Sequence, residues 1–283
     1  MASNRVLNPT KDRSWFYGFG NMLYKENHQW WGTRSWLIQS LIWMTLINGM
    51  LLYIILQITN SSAFQQVRQT GSEAEIAVEK AAVANEGLVI YFVFAGLLAA
   101  GGVAVKAQDA LIGEKRSGTA AWVLSKPISR NAFLLAKLVA DVIGILMTMV
   151  IVQGVIAYLT LKATANVSLP LPNCLAAMGL VVLMLLYFLS LTYMLGAVSN
   201  SRALTIGLPL LLVFFGSNIG NMVPFLAKTM PWNLVMELRR NPALAVSLIK
   251  GQPLTTVTPI VCTAVMTVLF LLVAFWRFQR DEY

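Results

Sequence analysis

Asp109-Ala-Leu-Ile-Gly-Glu-Lys-Arg-Ser-Gly-Thr-Ala-Ala-Trp-Val-Leu-Ser-Lys-Pro-Ile-Ser-Arg130 is a polar, basic stretch between two long apolar runs. Charges inside lipid are costly, so such a stretch belongs at a water-facing surface. Leu111, Ile112, Trp122, Val123 and Leu124 supply apolar surface beside Asp109, Glu114, Lys115 and Arg116. Gly118 interrupts, and Pro127 forbids continuing a helix. The spacing predicts a short amphipathic helix, a break, and a second short helical piece before the next apolar run. An ordinary basic loop accounts for the residues equally well.

Working outward, six runs are long enough to cross a bilayer, which takes about 20 apolar residues each. They are Trp36–Ile58, Leu88–Val105, Phe133–Leu161, Leu175–Val198, Leu204–Leu226 and Pro259–Trp276. The third is longer than one crossing requires, so it is expected to tilt or protrude. The expected fold is an all-α membrane protein. Residues 1–35 form a cytoplasmic segment with an interfacial helix, 36–276 the six-helix transmembrane domain, and 277–283 a cytoplasmic tail.

Composition excludes the main alternatives. The chain has 283 residues, 57% hydrophobic and 12% charged, whereas a soluble domain carries about 25% charge. So few charges cannot cover a soluble globule. A net charge of +9 invites nucleic acid, but no basic stripe sits on a soluble module. The excess reads instead as cytoplasmic flanks: with the N-terminus inside, 14 of the 21 Lys and Arg face the cytoplasm. That places both termini inside, in the cell membrane. Residues 1–35 do not read as a cleavable signal peptide, so the first helix is expected to remain as an anchor. Cys174 and Cys262 have no metal-ligand spacing and read as packing residues.

Trp15, Phe16, Tyr17, Tyr24, Trp30 and Trp31, mixed with Lys25, Glu26, His28 and Arg34, suit the headgroup layer. Residues 59–87 are polar, with an alanine-rich second half expected to be helical. In 227–258, two short amphipathic helices are expected on or dipping into the outer leaflet, and Pro224 can begin a re-entrant turn. Asn60-Ser61-Ser62 and Asn166-Val167-Ser168 match the glycosylation pattern, a common chance match.

No His-Glu-x-x-His or Gly-x-Ser-x-Gly is present, and the chain holds one histidine. Gly113-Glu-Lys-Arg-Ser-Gly118-Thr119 imitates a phosphate loop. It lacks the lysine after the second glycine, and an apolar span precedes it where a nucleotide fold has a buried strand. The chain therefore reads as having no catalytic, metal or cofactor site of its own.

Glu114-Lys-Arg-Ser-Gly-Thr119, then Leu124-Ser-Lys-Pro-Ile-Ser-Arg130, then Ala136-Lys137, resembles the cytoplasmic motif of type-2 ABC exporter permeases. In that family an acid, a basic residue and Gly-Thr are followed by Leu-x-x-Pro-(Val/Ile)-Ser-Arg and a lysine opening the next span. The resemblance implies a coupling helix around 107–120, between the second and third helices, seated in a separate ABC ATPase that holds ATP and Mg. Asp109, Glu114, Lys115, Arg116, Ser117, Gly118, Thr119, Pro127 and Arg130 are the implied coupling residues. It also implies export, and a second permease copy or related permease meeting this one near the first and fifth helices.

Gly216-Ser-Asn-Ile-Gly220 is a small-xxx-small pattern that permits close helix contact. Gln39, Ser40, Thr45 and Asn48 in the first helix, and Gly216, Ser217, Asn218, Gly220 and Asn221 in the fifth, are candidates for a dimer seam or path; packing within the chain is the alternative. Lys137 and Asp141 lie four apart on one helix face, a possible intramembrane pair. Membrane lipids are expected partners and nucleic acid is not. Outside the resemblance, an ion-coupled secondary transporter and a lipid-modifying membrane enzyme stay open.

Overall fold

The computed structural model describes residues 15–126, 128–165, 170–238 and 241–280. Among these, the backbone is helical apart from turns and one isolated bridge, Leu238 to Asn241. The helices are α1 (Phe19–Trp31), α2 (Ser35–Thr59), α3 (Ser62–Thr70), α4 (Glu73–Ser117), α5 (Thr119–Leu124) and α6 (Arg130–Thr164). They continue as α7 (Leu171–Val198), α8 (Arg202–Met222), α9 (Pro224–Thr229), α10 (Leu244–Ile249) and α11 (Thr258–Arg280). Six of them, α2, α4, α6, α7, α8 and α11, are long and apolar enough to cross a membrane. They correspond one for one to the six runs in the sequence.

The largest boundary shift is in α4. It starts fifteen residues before Leu88, because Ser72 and Glu75 form a reciprocal capping box that begins a helix in the polar alanine-rich segment. At 45 residues it is about 68 Å long, more than twice the hydrocarbon thickness. It runs on past Val105 through a wide π turn, Asp109–Gly113, and ends at the expected break, Gly118. Gly118 has φ +71°, a left-handed cap that side-chain-bearing residues adopt poorly. Asp109–Ser117 is thus a rigid extension of the second span rather than a detached helix.

The core lies between α4 and α7. Ala95, Ala99, Ala100, Val103 and Ala104 on α4 are at 0% exposure, and small side chains let α7 approach closely with Val181, Met184 and Phe188. The far side of α7 packs on α11. Cys174 and Cys262 are free and half-buried.

The 224–249 segment turns inward instead of resting on the bundle. Trp232, Leu234, Val235, Leu238 and Leu244 are buried. Val235 sits against Gly96, and the Trp232 indole donates to the Leu212 carbonyl at 3.2 Å. Leu212 lies ten residues before the end of α8, about 15 Å along its axis, so the segment is re-entrant. Pro224 opens it, and the buried Asn233 amide serves its irregular backbone from within, donating to the Met236, Asn241 and Pro242 carbonyls at 3.3 Å.

Candidate functional site

One end of the bundle gathers α1, residues 109–130, the α7–α8 connection and the end of α11. Ser129 caps α6 by accepting from the Ala132 amide at 3.1 Å, while its hydroxyl donates to the Trp15 carbonyl at 2.6 Å. The Arg130 guanidinium donates to the Gln279 carbonyl at 2.6 Å, and Gln279 donates to Asn131 at 2.7 Å. Phe133 stacks on Phe278 with centroids 5.5 Å apart. The start and end of the described chain therefore lie at the same end of the bundle.

Inside this end sits a buried ion cluster. Lys137 Nζ lies 2.9 Å from Glu114 and 3.1 Å from Glu26, and its side chain is 3% exposed. Lys25 reaches both acids from the rim at 3.4 and 3.6 Å. Burying such charges is expensive, and removing one partner leaves the others uncompensated. The cluster joins three elements: α1 through Glu26, the α4 extension through Glu114 and α6 through Lys137.

A second buried knot lies one turn deeper. Asp141 accepts from the Trp30 indole at 3.1 Å and from the Tyr193 hydroxyl at 2.7 Å. Trp30 lies across Gly144, where a Cβ would stand 2.4 Å from the indole. Lys137 and Asp141 do not pair with each other. The sequence places them on one face, but α1 and α4 supply nearer acids to Lys137, and α1 and α7 supply two donors to Asp141.

The 109–130 stretch divides into two halves. Glu114 faces inward to Lys137. Lys115 donates to the Ala197 carbonyl at 3.1 Å and Arg116 to the Asn200 carbonyl at 3.4 Å, cations meeting the negative C-terminal end of α7. Asp109 pairs with Arg202 at 3.2 Å, and Arg202 also donates to Gln108 at 2.9 Å. Arg116, Ser117 and Gly118 are nevertheless exposed at the tip, and the Ser117 and Thr119 hydroxyls share a bond across the turn. Beyond the turn, Trp122 is 62% exposed with Lys126 held 3.8 Å over its ring. Pro127 lies outside the described residues, as does Asn166-Val167-Ser168.

The candidate seam residues do not converge. Asn48 is buried and donates to Gln153 of α6 at 2.8 Å. Gln153 in turn donates to the Ser40 and Thr148 carbonyls at 3.2 and 2.8 Å, beside the π turns Met44–Asn48 and Leu146–Ile151. One amide thus ties α2 to α6, adding a bond to the Ser40 carbonyl, which already accepts from the Met44 amide, and one to the Thr148 carbonyl inside the second π turn. Gly216 is covered within the chain: a Cβ there would stand 1.8 Å from Trp232, and Trp232 also lies beside Gly220. Thr45, Asn218 and Asn221 are exposed, Gln39 and Ser217 half-buried.

Sequence reasoning missed Trp30, Tyr193, Gln153 and Arg202 as partners, and read Glu26 as a wet charge. The available signal was Met22, Glu26 and Trp30 at helical spacing, an acid within an otherwise apolar stripe. Among the described residues no His, Cys, Asp and Glu side chains group to hold a metal.

A family model described as ABC-2 family transporter protein matches residues 32–283. Comparison with curated proteins gave no match.

Proposed function

Because this chain belongs to the ABC-2 transporter family, we propose that it is the permease subunit of an ATP-driven exporter, moved by separate ATPase subunits that dock on residues 109–126. Family membership makes it a multi-pass membrane transport component. Docking, direction and assembly are the finer reading, and one observation carries the docking. The α4 extension is rigid and continuous with the second span, and its tip exposes Arg116, Ser117 and Gly118, with Trp122 and Lys126 just beyond. A push on that tip is transmitted along α4, and through Glu114 to α1 and α6. Exposed charge supplies partner specificity, and an aromatic anchor supplies contact area.

The charge bias puts the 109–130 end in the cytoplasm, with both termini. Two permease chains, alike or related, would face each other across the exposed sides of α2 and α8. ATP and Mg belong to the partner motor. The test is co-purification of the complex from its native membrane with Arg116→Glu and Trp122→Ala combined. Loss of the ATPase subunit from a chain that still inserts and runs as a single species is expected. A retained motor with normal nucleotide-dependent transport would overturn the docking assignment.

A further inference from the structure

Between α2, α4 and α8 runs a lateral groove of about 650 Å³, within the range of sites for small amphipathic ligands. Gly101 and Gly102 form its floor, and Trp43 presses onto Gly102, where a Cβ would stand 1.9 Å from the indole. Leu46, Leu98, Leu210 and Phe214 line one end. Gln39, Lys106 and Asp109 line the other. From Leu98 to Asp109 the helix rises about 16 Å, close to half of a hydrocarbon core of about 30 Å. The groove therefore has the depth of one leaflet, apolar inside and polar at the headgroup end.

The polar groups there are unequal. Asp109 is neutralised by Arg202 at 3.2 Å, and Gln39 accepts from the Trp43 indole at 3.0 Å. Lys106 has no carboxylate within ion-pair distance among the described residues; its close contact is the face of Trp30, 4.9 Å away, and the buried Asp141 that Trp30 donates to attracts it only at longer range. A half-buried ammonium at the end of an apolar groove calls for an anion that brings its own apolar body. Neither Ser35–Thr59 nor Arg202–Met222 contains an Asp or Glu, so the acid that a second copy would bring on the same groove face is Asp109, which already pairs with Arg202.

We propose that this groove holds one anionic phospholipid from the leaflet on the 109–130 side, its phosphate at Lys106 and an acyl chain along Leu98–Val105. The assignment requires only that the six helices span a bilayer, so its failure and that of motor docking are separable.

The experiment uses the full chain in nanodiscs carrying phosphatidylglycerol or phosphatidylcholine with a photoactivatable acyl chain, followed by mapping of labelled peptides. Residues 98–105 and 210–214 should take phosphatidylglycerol over phosphatidylcholine by about fivefold, the worth of one basic residue near an anionic surface. Val265 and Leu272 on the exposed face of α11 should show no such preference. Lys106→Gln should bring the ratio in the groove down to that of α11, and Lys106→Arg should restore it. Leu210→Trp, which fills the groove, should remove labelling at 98–105 by either lipid. Equal ratios at the groove and at α11, or no change in Lys106→Gln, overturn the proposal. So does cross-linking of these residues to another copy of the chain without lipid label. If Lys106→Gln does not insert, the wild-type ratio and Leu210→Trp still decide.

Discussion

Glu114 and Arg116 are two residues apart and carry opposite charges, yet the fold gives them opposite duties. Glu114 lies in a cluster whose central lysine is 3% exposed, holding α1, α4 and α6 together. Arg116 stands at the exposed tip with Ser117 and Gly118. Both lie on the helical turn Glu114–Ser117, where residues two apart stand about 200° round the axis, so one side chain points in and the other out. A charged motif is therefore not one surface. Its inner half holds three helices together, and its outer half stands exposed at the tip.

The strongest way to break the contrast is Lys137→Met. It leaves Glu26 and Glu114 beside each other in a buried site with only the part-exposed Lys25 at the rim, and a loss of about 3 kcal/mol is expected. Thermal unfolding of the purified chain in detergent measures it; an unchanged midpoint would show that water enters the cluster freely. Gly216→Leu comes next, because the new side chain has no room against Trp232. Overpacking of this kind costs about 1–3 kcal/mol, and the same unfolding assay should show it in the chain on its own. Gln153→Leu leaves Asn48 and two carbonyls without their amide partner, a cost of about 1–3 kcal/mol. Asn48→Leu added to it should recover part of that loss, which a double-mutant cycle reads directly.

At the outer half the effects on folding shrink while those on partners should not. Trp122→Ala should leave stability within about 0.5 kcal/mol, as for exposed sites. Titration of the ATPase against the reconstituted permease should still show weaker binding. Smallest is Asp109→Asn: its pair with Arg202 is more than half exposed on both sides, so a loss of about 0.2 kcal/mol, the low end for exposed pairs, is expected and added salt should erase it.

The six spans, the helix in the alanine-rich 73–87 segment and the break at Gly118 were legible because each depends on local order: apolar length, alanine content, a glycine after a charged turn. The pairing of Lys137 was not. Helical spacing gives Asp141 as a neighbour, and only the docking of α1 and the extension of α4 bring Glu26 and Glu114 closer. Gly216 reads as a contact surface from its spacing, but a glycine stripe does not reveal what fills it. The filler, Trp232, arrives from a re-entrant segment beyond two prolines.

By itself the sequence determined that the chain is a bundle of six apolar helices and where its polar segments lie, because lipid demands long apolar runs and expels charge. Tertiary structure alone decided which charges are spent on holding that bundle together. Side chains on different helices choose partners by distance in space, and the low dielectric between helices punishes every charge left without one.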